Sequence, residues 1–202
     1  MRKADLEKNH RAFDRALARY RSFTERIIAA QRVISNKTEK EDLIESVLLR
    51  LCANWERFVD EHLVDCVNVD HSKLNDFLGV PIPRNPTRNL CEALLIGANY
   101  LDFRSFGDLK GYSRKVLPDA SNPFLAVASS NINKIDETFK LRNYVAHYSS
   151  AARRSLDRMY KNVYKLAKFV EPGRFLIAYD GRRLWKYFDA FQGASQDMKD
   201  WY

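Results

Sequence analysis

Apolar residues recur along most of this chain at three- and four-residue steps, the period of a helix that turns one face to a core. Leu6, Phe13, Leu17, Tyr20, Phe23, Ile27 and Val33 or Ile34 mark a first long helix over 4–34, with Arg11, Arg15, Arg19 and Arg26 between them. Ser35-Asn36-Lys37 breaks that pattern, and Thr38 with Glu41 has the form of a capping box that opens a second helix. A wide stripe follows through Leu43, Ile44, Val47, Leu48, Leu51, Trp55, Phe58, Val59 and Leu63. Two long helices joined by so short a linker fold back antiparallel, which is how a bundle begins.

The region 68–122 is less regular. A short helix over 70–78 is stopped by Gly79, and Val80-Pro81-Ile82-Pro83-Arg84-Asn85-Pro86 must be extended, because proline restricts itself and the residue before it. Helical spacing returns over 90–100 and over 106–117, the latter interrupted at Gly111. Asn122-Pro123 caps and opens a central helix whose buried line runs through Phe124, Ala128, Ile132, Ile135 and Phe139. A further helix spans 151–169 and ends at Pro172-Gly173; 174–179 forms a short strand, Asp180-Gly181 turns, and Leu184 to Met198 makes a final helix. The expectation is a single all-α domain over 1–202: an up-and-down antiparallel helical bundle with an N-terminal helix (1–36), an irregular helical insert (68–122) and a C-terminal strand and helix extension (174–202).

Composition adds little to the fold. No run of the 202 residues approaches a membrane span, and the first eight carry no apolar stretch of a secretory signal. Cys52, Cys66 and Cys91 are odd in number, without the spacing of a zinc site. They read as reduced packing residues, and the chain is expected in the cytoplasm, off the membrane, with no metal and no cofactor. The net charge of +8 changes the picture more, since a positive surface gathers and steers phosphate backbones. The arginines of the first helix are either a nucleic-acid track or a solvated face. In the insert, Arg84, Arg88, Arg104, Lys110, Arg114 and Lys115 alternate with Tyr100, Phe103, Phe106 and Tyr112. That alternation suits a single strand, whose bases stack while its phosphates pair, or else simply packs the insert on the bundle.

Candidate chemistry concentrates in Lys140-Leu141-Arg142-Asn143-Tyr144-Val145-Ala146-His147-Tyr148-Ser149. The buried line of the central helix, continued by three and then four residues, lands on Arg142 and Ala146. A guanidinium there needs a partner or a wet cleft, because an unpaired buried charge is costly. Glu56, beside Trp55, is a candidate partner, or else a rim residue paired with another arginine. His147 lies about 500° round the helix from Arg142 at 100° per residue, and Ser149-Ser150 reads as a new helix cap. The chain is therefore expected to break near His147 and swing it back toward Arg142. Arg57 and His62 share the same spacing but sit inside a continuous amphipathic helix and read as a surface couple.

Arg142, Asn143 and His147 resemble the Arg-x4-6-His signature of the HEPN superfamily, in which a polar residue often follows the arginine. Leu51 to Val59 in an early long helix, the Leu-Arg-Asn-x-x-Ala-His-x-Ser run and Pro172-Gly173-Arg174-Phe175-Leu176 are similar to the prokaryotic RiboL-PSP-HEPN group, over roughly 38–200. The resemblance implies a metal-independent endoribonuclease of toxin or host-defence type, with RNA as substrate, a homodimer, and an antitoxin or other defence-system protein as a further partner. In that reading His147 is the acid/base group, Arg142 the phosphate clamp and Asn143 holds the phosphate or orients the histidine. Tyr144, Tyr148, Arg153 and Arg154 would contact substrate, the two tyrosines alternatively packing in the core or an interface. The other reading is a non-catalytic HEPN module that binds RNA or nucleotide or serves as an adaptor.

Overall fold

The computed structural model describes residues 4–30, 36–98, 103 and 105–201. All the regular structure among them is helical: α1 (Leu6–Ala29), α2 (Lys37–Val69), α3 (Ser72–Leu78), α4 (Arg88–Ala98), α5 (Phe106–Val116), α6 (Ser129–His147), α7 (Ser150–Tyr164), α8 (Pro172–Ile177) and α9 (Arg182–Lys199), with 3-10 turns at Asp119–Ser121 and Pro123–Leu125. The expected features at Val33, Ile34, Ser35, Tyr100 and Arg104 lie outside the described residues.

Four of these helices close a bundle, and long-range polar contacts fix their directions. Asn9 Nδ2 donates to Asp65 and Asn54 Nδ2 to the Tyr20 hydroxyl, so α1 and α2 run antiparallel. Arg142 on α6 meets Glu56 on α2, while Phe124 just before α6 meets His62, which sets that pair antiparallel too. Ala128 N–H donates to Asp197 and Tyr187 to Glu137, pairing α6 with α9. Arg21 with Asp189 and His10 with Ser195 then return α9 to α1. The four inner faces supply one continuous core, including Phe13, Leu48, Leu51, Trp55, Ile135, Phe188 and Phe191. The helix expected as a C-terminal extension is thus a wall of that core, and α7 packs outside on α6.

Several local expectations are corrected. The cap of α2 is Asn36, two residues before the anticipated Thr38: its side chain accepts from Thr38 N–H and donates to Glu39. Glu41 is drawn instead to Arg174, at 3.1 Å. The central helix does not open at Asn122-Pro123, because buried Asn122 is spent on Ser113 Oγ and the chain makes a 3-10 turn before α6 starts at Ser129. Helix α7 stops at Tyr164, with Lys165 in the left-handed region at φ 54°. Phe169 still joins the packing, against Tyr144 and Tyr160. Segment 174–179 is not a strand. Pro172 takes the first position of α8, where its missing N–H costs nothing, and the apolar Phe175 and Leu176 are buried from a helix. Gly111 does not interrupt α5. Nor are Arg57 and His62 a surface couple: Arg57 is exposed, whereas His62 is sealed among His10, Phe58 and Phe124.

Gly173 is needed where α8 crosses α2. A Cβ there would stand 2.5 Å from the Glu41 carbonyl oxygen, and the Gly173 N–H donates to Glu45. Gly111, by contrast, has nothing within 4 Å of its Cβ position. Gly173→Ala should lower stability by about 1–3 kcal/mol in thermal or denaturant melts. Gly111→Ala, in an exposed helix interior, should raise it by about 0.5–1 kcal/mol.

Burial holds the His62 imidazole down to about 3, helped by His10, and holds His10 down to about 4, helped by Lys199 on α9. Both rings are therefore neutral in the fold and titrate near 6.5 once unfolded. A depressed folded value means that stability is intact above about pH 6.5 and is lost as pH falls through the window down to 3–4, at about 1.4 kcal/mol per pH unit for each histidine at most. Melts from pH 7 to 4 should show this acid limb, and His62→Phe should flatten it.

Candidate functional site

Helix α6 sets the site. Lys140, Asn143 and His147 follow at steps of three and four residues and so share one face, opposite α7, whose Ala152 and Ser155 form the far wall. Arg142 roots on the neighbouring line but reaches round: its guanidinium donates to Asn143 Oδ1 at 3.0 Å and to Glu56 Oε1 at 3.2 Å. Arg142, Asn143, His147 and Glu56 thereby border one open cleft of about 370 Å³, with Phe103 and Phe139 along its other side. Arg142 is neither sealed nor free in water, with 30% of its side chain exposed against 34% for Glu56.

The break expected near His147 falls at Tyr148. His147 is the last residue of α6, and Tyr148 ends it at φ 45°, a left-handed conformation uncommon for a tyrosine. Ser149 then caps α7, its hydroxyl accepting from Ala152 N–H. His147 reaches the cleft as part of the helix, carried by its spacing from Asn143, and needs no swing. Its ring is exposed at the cleft rim. The other three histidines are elsewhere: His10 and His62 in the core, His71 just before α3.

The remaining expected residues divide from this group. Tyr144 is buried on another side of α6, where Arg153 donates to its hydroxyl and Phe169 packs on its ring. Arg153 lies 4.1 Å over Phe169, a cation on an aromatic face. Burial and the nearby Glu171 carboxylate push the Tyr144 hydroxyl up. Tyr148 is exposed and leans on Tyr144, and Arg154 is exposed on α7. None of these four lines the cleft. Tyr144 is thus packed in the core, with the Arg153 guanidinium at its hydroxyl.

One residue of the cleft comes from the alternation of basic and aromatic residues in the insert. Phe103, from the segment before α5, lines the cleft, while its companions in the insert, Phe106 and Tyr112, are buried and pack. Phe106 N–H donates to Asp136 on α6 at 2.8 Å, which fastens α5 beside the cleft. Among the described residues, no cluster of histidine, cysteine and carboxylate side chains could hold a metal ion. No helix among them is long and apolar enough to cross a membrane.

What these residues assemble is an all-α bundle with a guanidinium, an amide and an imidazole at the mouth of one cleft. No family model, no curated protein and no solved structure matches this chain.

The Arg142 and Glu56 side chains are each about a third exposed, so water screens their attraction. Glu56→Gln should cost under about 1 kcal/mol in denaturant melts, the range of exposed ion pairs. A larger loss would make the pair a structural fastening of α2 to α6.

Proposed function

We propose that this protein is a metal-independent endoribonuclease of toxin or host-defence type, with His147 as acid/base group and Arg142 as phosphate clamp. The observation that carries the reading is that Arg142, Asn143 and His147 border the same open cleft, as the HEPN-like motif would require.

In this reading the RNA backbone lies along the cleft with a phosphate at Arg142, whose planar fork matches two of its oxygens. His147 removes the proton of the adjacent 2′-hydroxyl, and the freed oxygen attacks phosphorus. The bond to the 5′-oxygen breaks, leaving a 2′,3′-cyclic phosphate and a 5′-hydroxyl once that oxygen takes a proton. Arg142 balances the charge that builds on the phosphate oxygens, and Asn143, already bonded to Arg142, keeps the fork aimed. Two proton transfers call for two groups, and each cleft offers one histidine. A second copy, its α6 end facing this one, supplies the other; the exposed run from Ala146 to Ser150 leaves that end accessible. The homodimer is thus part of the proposal.

The Glu56 ion pair favours a second reading. A carboxylate already on Arg142 competes with phosphate, as in a module that binds RNA or nucleotide weakly or serves as an adaptor without cutting.

Purified protein in EDTA should cleave single-stranded RNA, and His147→Ala should reduce the rate at least about 100-fold, the scale of a lost acid/base group, with helical content unchanged. Arg142→Lys should fail as well, since an ammonium lacks the fork. Full activity in the histidine variant defeats the assignment, and RNA binding without cleavage by the wild type gives the adaptor reading the stronger claim.

A further inference from the structure

The arginines of α1 and α2 divide by what answers them. Arg11 is spent on Asp5 and Glu7, and Arg21 on Asp189. Arg15, Arg19 and Arg26 on α1, with Arg50 and Arg57 on α2, are exposed and have no carboxylate partner among the described residues. Arg19 and Arg57 are nevertheless held in place. The Tyr20 hydroxyl accepts from Arg19 at 3.3 Å and from Asn54 Nδ2 at 2.9 Å, and Asn54 Oδ1 accepts from Arg57 at 3.2 Å. A relay of neutral groups thus fixes two guanidiniums along the seam where α1 meets α2, with their charge left for an anion from outside.

The stripe that carries Arg19 is uniform in sign. Arg15, Arg19, Phe23 and Arg26 fall within about 80° of the circumference of α1, at 100° per residue. Asp14 and Glu25, each next to one of these arginines in sequence, are turned about 100° away. Phe23 is 39% exposed, and the Arg26 guanidinium lies 5.8 Å from its ring centre. An exposed ring among cations suits a single strand, whose bases stack while its phosphates pair with arginine. That ring favours a strand over an acidic protein segment, which would meet the charge without needing the flat face. On α2, Arg57 directly follows Glu56 and lies about 100° round from it, with the small, exposed Ala53 between them on the helix surface. The seam therefore opens beside the cleft that Glu56 borders.

We propose that the seam between α1 and α2 is a second contact for single-stranded RNA, with backbone phosphates at Arg19 and Arg57 and one base stacked on Phe23. It holds the same strand whose phosphate lies at Arg142. This rests on the ribonuclease reading and adds the substrate class: an unpaired RNA strand that runs out of the cleft and along α1, not a short or duplex one.

Binding is measured by fluorescence anisotropy over a range of salt concentrations on a long 2′-O-methyl oligouridine, which keeps the phosphates but lacks the attacking hydroxyl. Replacing both arginines, Arg19→Gln with Arg57→Gln, should weaken binding and reduce the slope of log affinity against log salt by about 1.4, at about 0.7 for each single-strand phosphate released. Arg11→Gln removes a charge already spent on Asp5 and Glu7 and should leave the slope as it is. Phe23→Ala should weaken the single strand about ten-fold, the scale of one lost stack, and spare the same strand annealed to its complement, whose bases are already stacked. Unaltered melts show that the variants fold. A slope that the double variant leaves unchanged, or that Arg11→Gln lowers as much, overturns the seam as an RNA contact while leaving the phosphate clamp standing, and gives the arginines to solvent or to an acidic protein. Equal loss on single strand and duplex from Phe23→Ala overturns the stacking role. Failure of the wild type to bind the strand at all overturns the seam and the ribonuclease reading together.

Discussion

The structure depends on one helix being buried on most of its surface. Helix α2, 33 residues long, contacts α1, α4, α6 and α8, so its side chains meet protein in nearly every direction. A helix in that position cannot have a polar side unless each charge is answered. Asp65 is answered by Arg88 and Asn9, Glu41 by Arg174, and Glu45 by the Gly173 N–H. Glu56 is answered by Arg142. The first three ties hold neighbouring elements against α2. The last differs in kind, because its cation stands at the mouth of an open cleft, where another anion can compete for it.

This constraint explains why the candidate site lies where it does. Helix α6 is the bundle partner that faces α2 and also turns into α7, so its C-terminal end has α2 on one side and α7 on the other. A cleft remains between them because Ala152 and Ser155 are too small to fill the space. Larger residues there would bury Asn143 and cover His147. The insert closes the remaining side through the tie from Phe106 N–H to Asp136, which sets Phe103 at the cleft edge. A segment irregular in sequence thus acts as the wall of a pocket whose floor is the bundle core.

How much of this was legible in the sequence follows the physics of each signal. Period is a property of one helix and its own burial, so the long helices, the stop at Gly79 and the turn at Asp180-Gly181 were readable residue by residue. Partnership is not. Nothing local told that Glu41 would serve Arg174 and leave the cap to Asn36, or that Asn122 would serve Ser113 and leave α6 to start at Ser129. The strand expected after Pro172 failed for the same reason, since Phe-Leu-Ile fits a strand or a short buried helix equally and the crossing at Gly173 decided between them. His62 was misplaced because it was read together with Arg57 as one surface couple, although one residue can face water while another, five positions on, faces the core.

At the site, the pairing of Arg142 with Glu56 could be anticipated, because a guanidinium on an otherwise apolar line needs an acceptor and Glu56 stood on the facing helix. Grouping by sequence proximity was less dependable. Tyr144 and Arg153 are near the motif along the chain, yet the helix turns them to the Phe169 side, where they pack with each other. Asp60 and Phe103 are far from it in sequence and share its cleft. The helical repeat accounts for both outcomes: one residue of offset rotates a side chain by about 100°, enough to carry it from the cleft to the opposite contact, while four residues return it to the same face. Asp60 follows Glu56 by four, and His147 follows Asn143 by four. Glu56 and Asp60 border the inner part of the space between α2 and α6, Asn143 and His147 border its mouth, and Arg142 touches both.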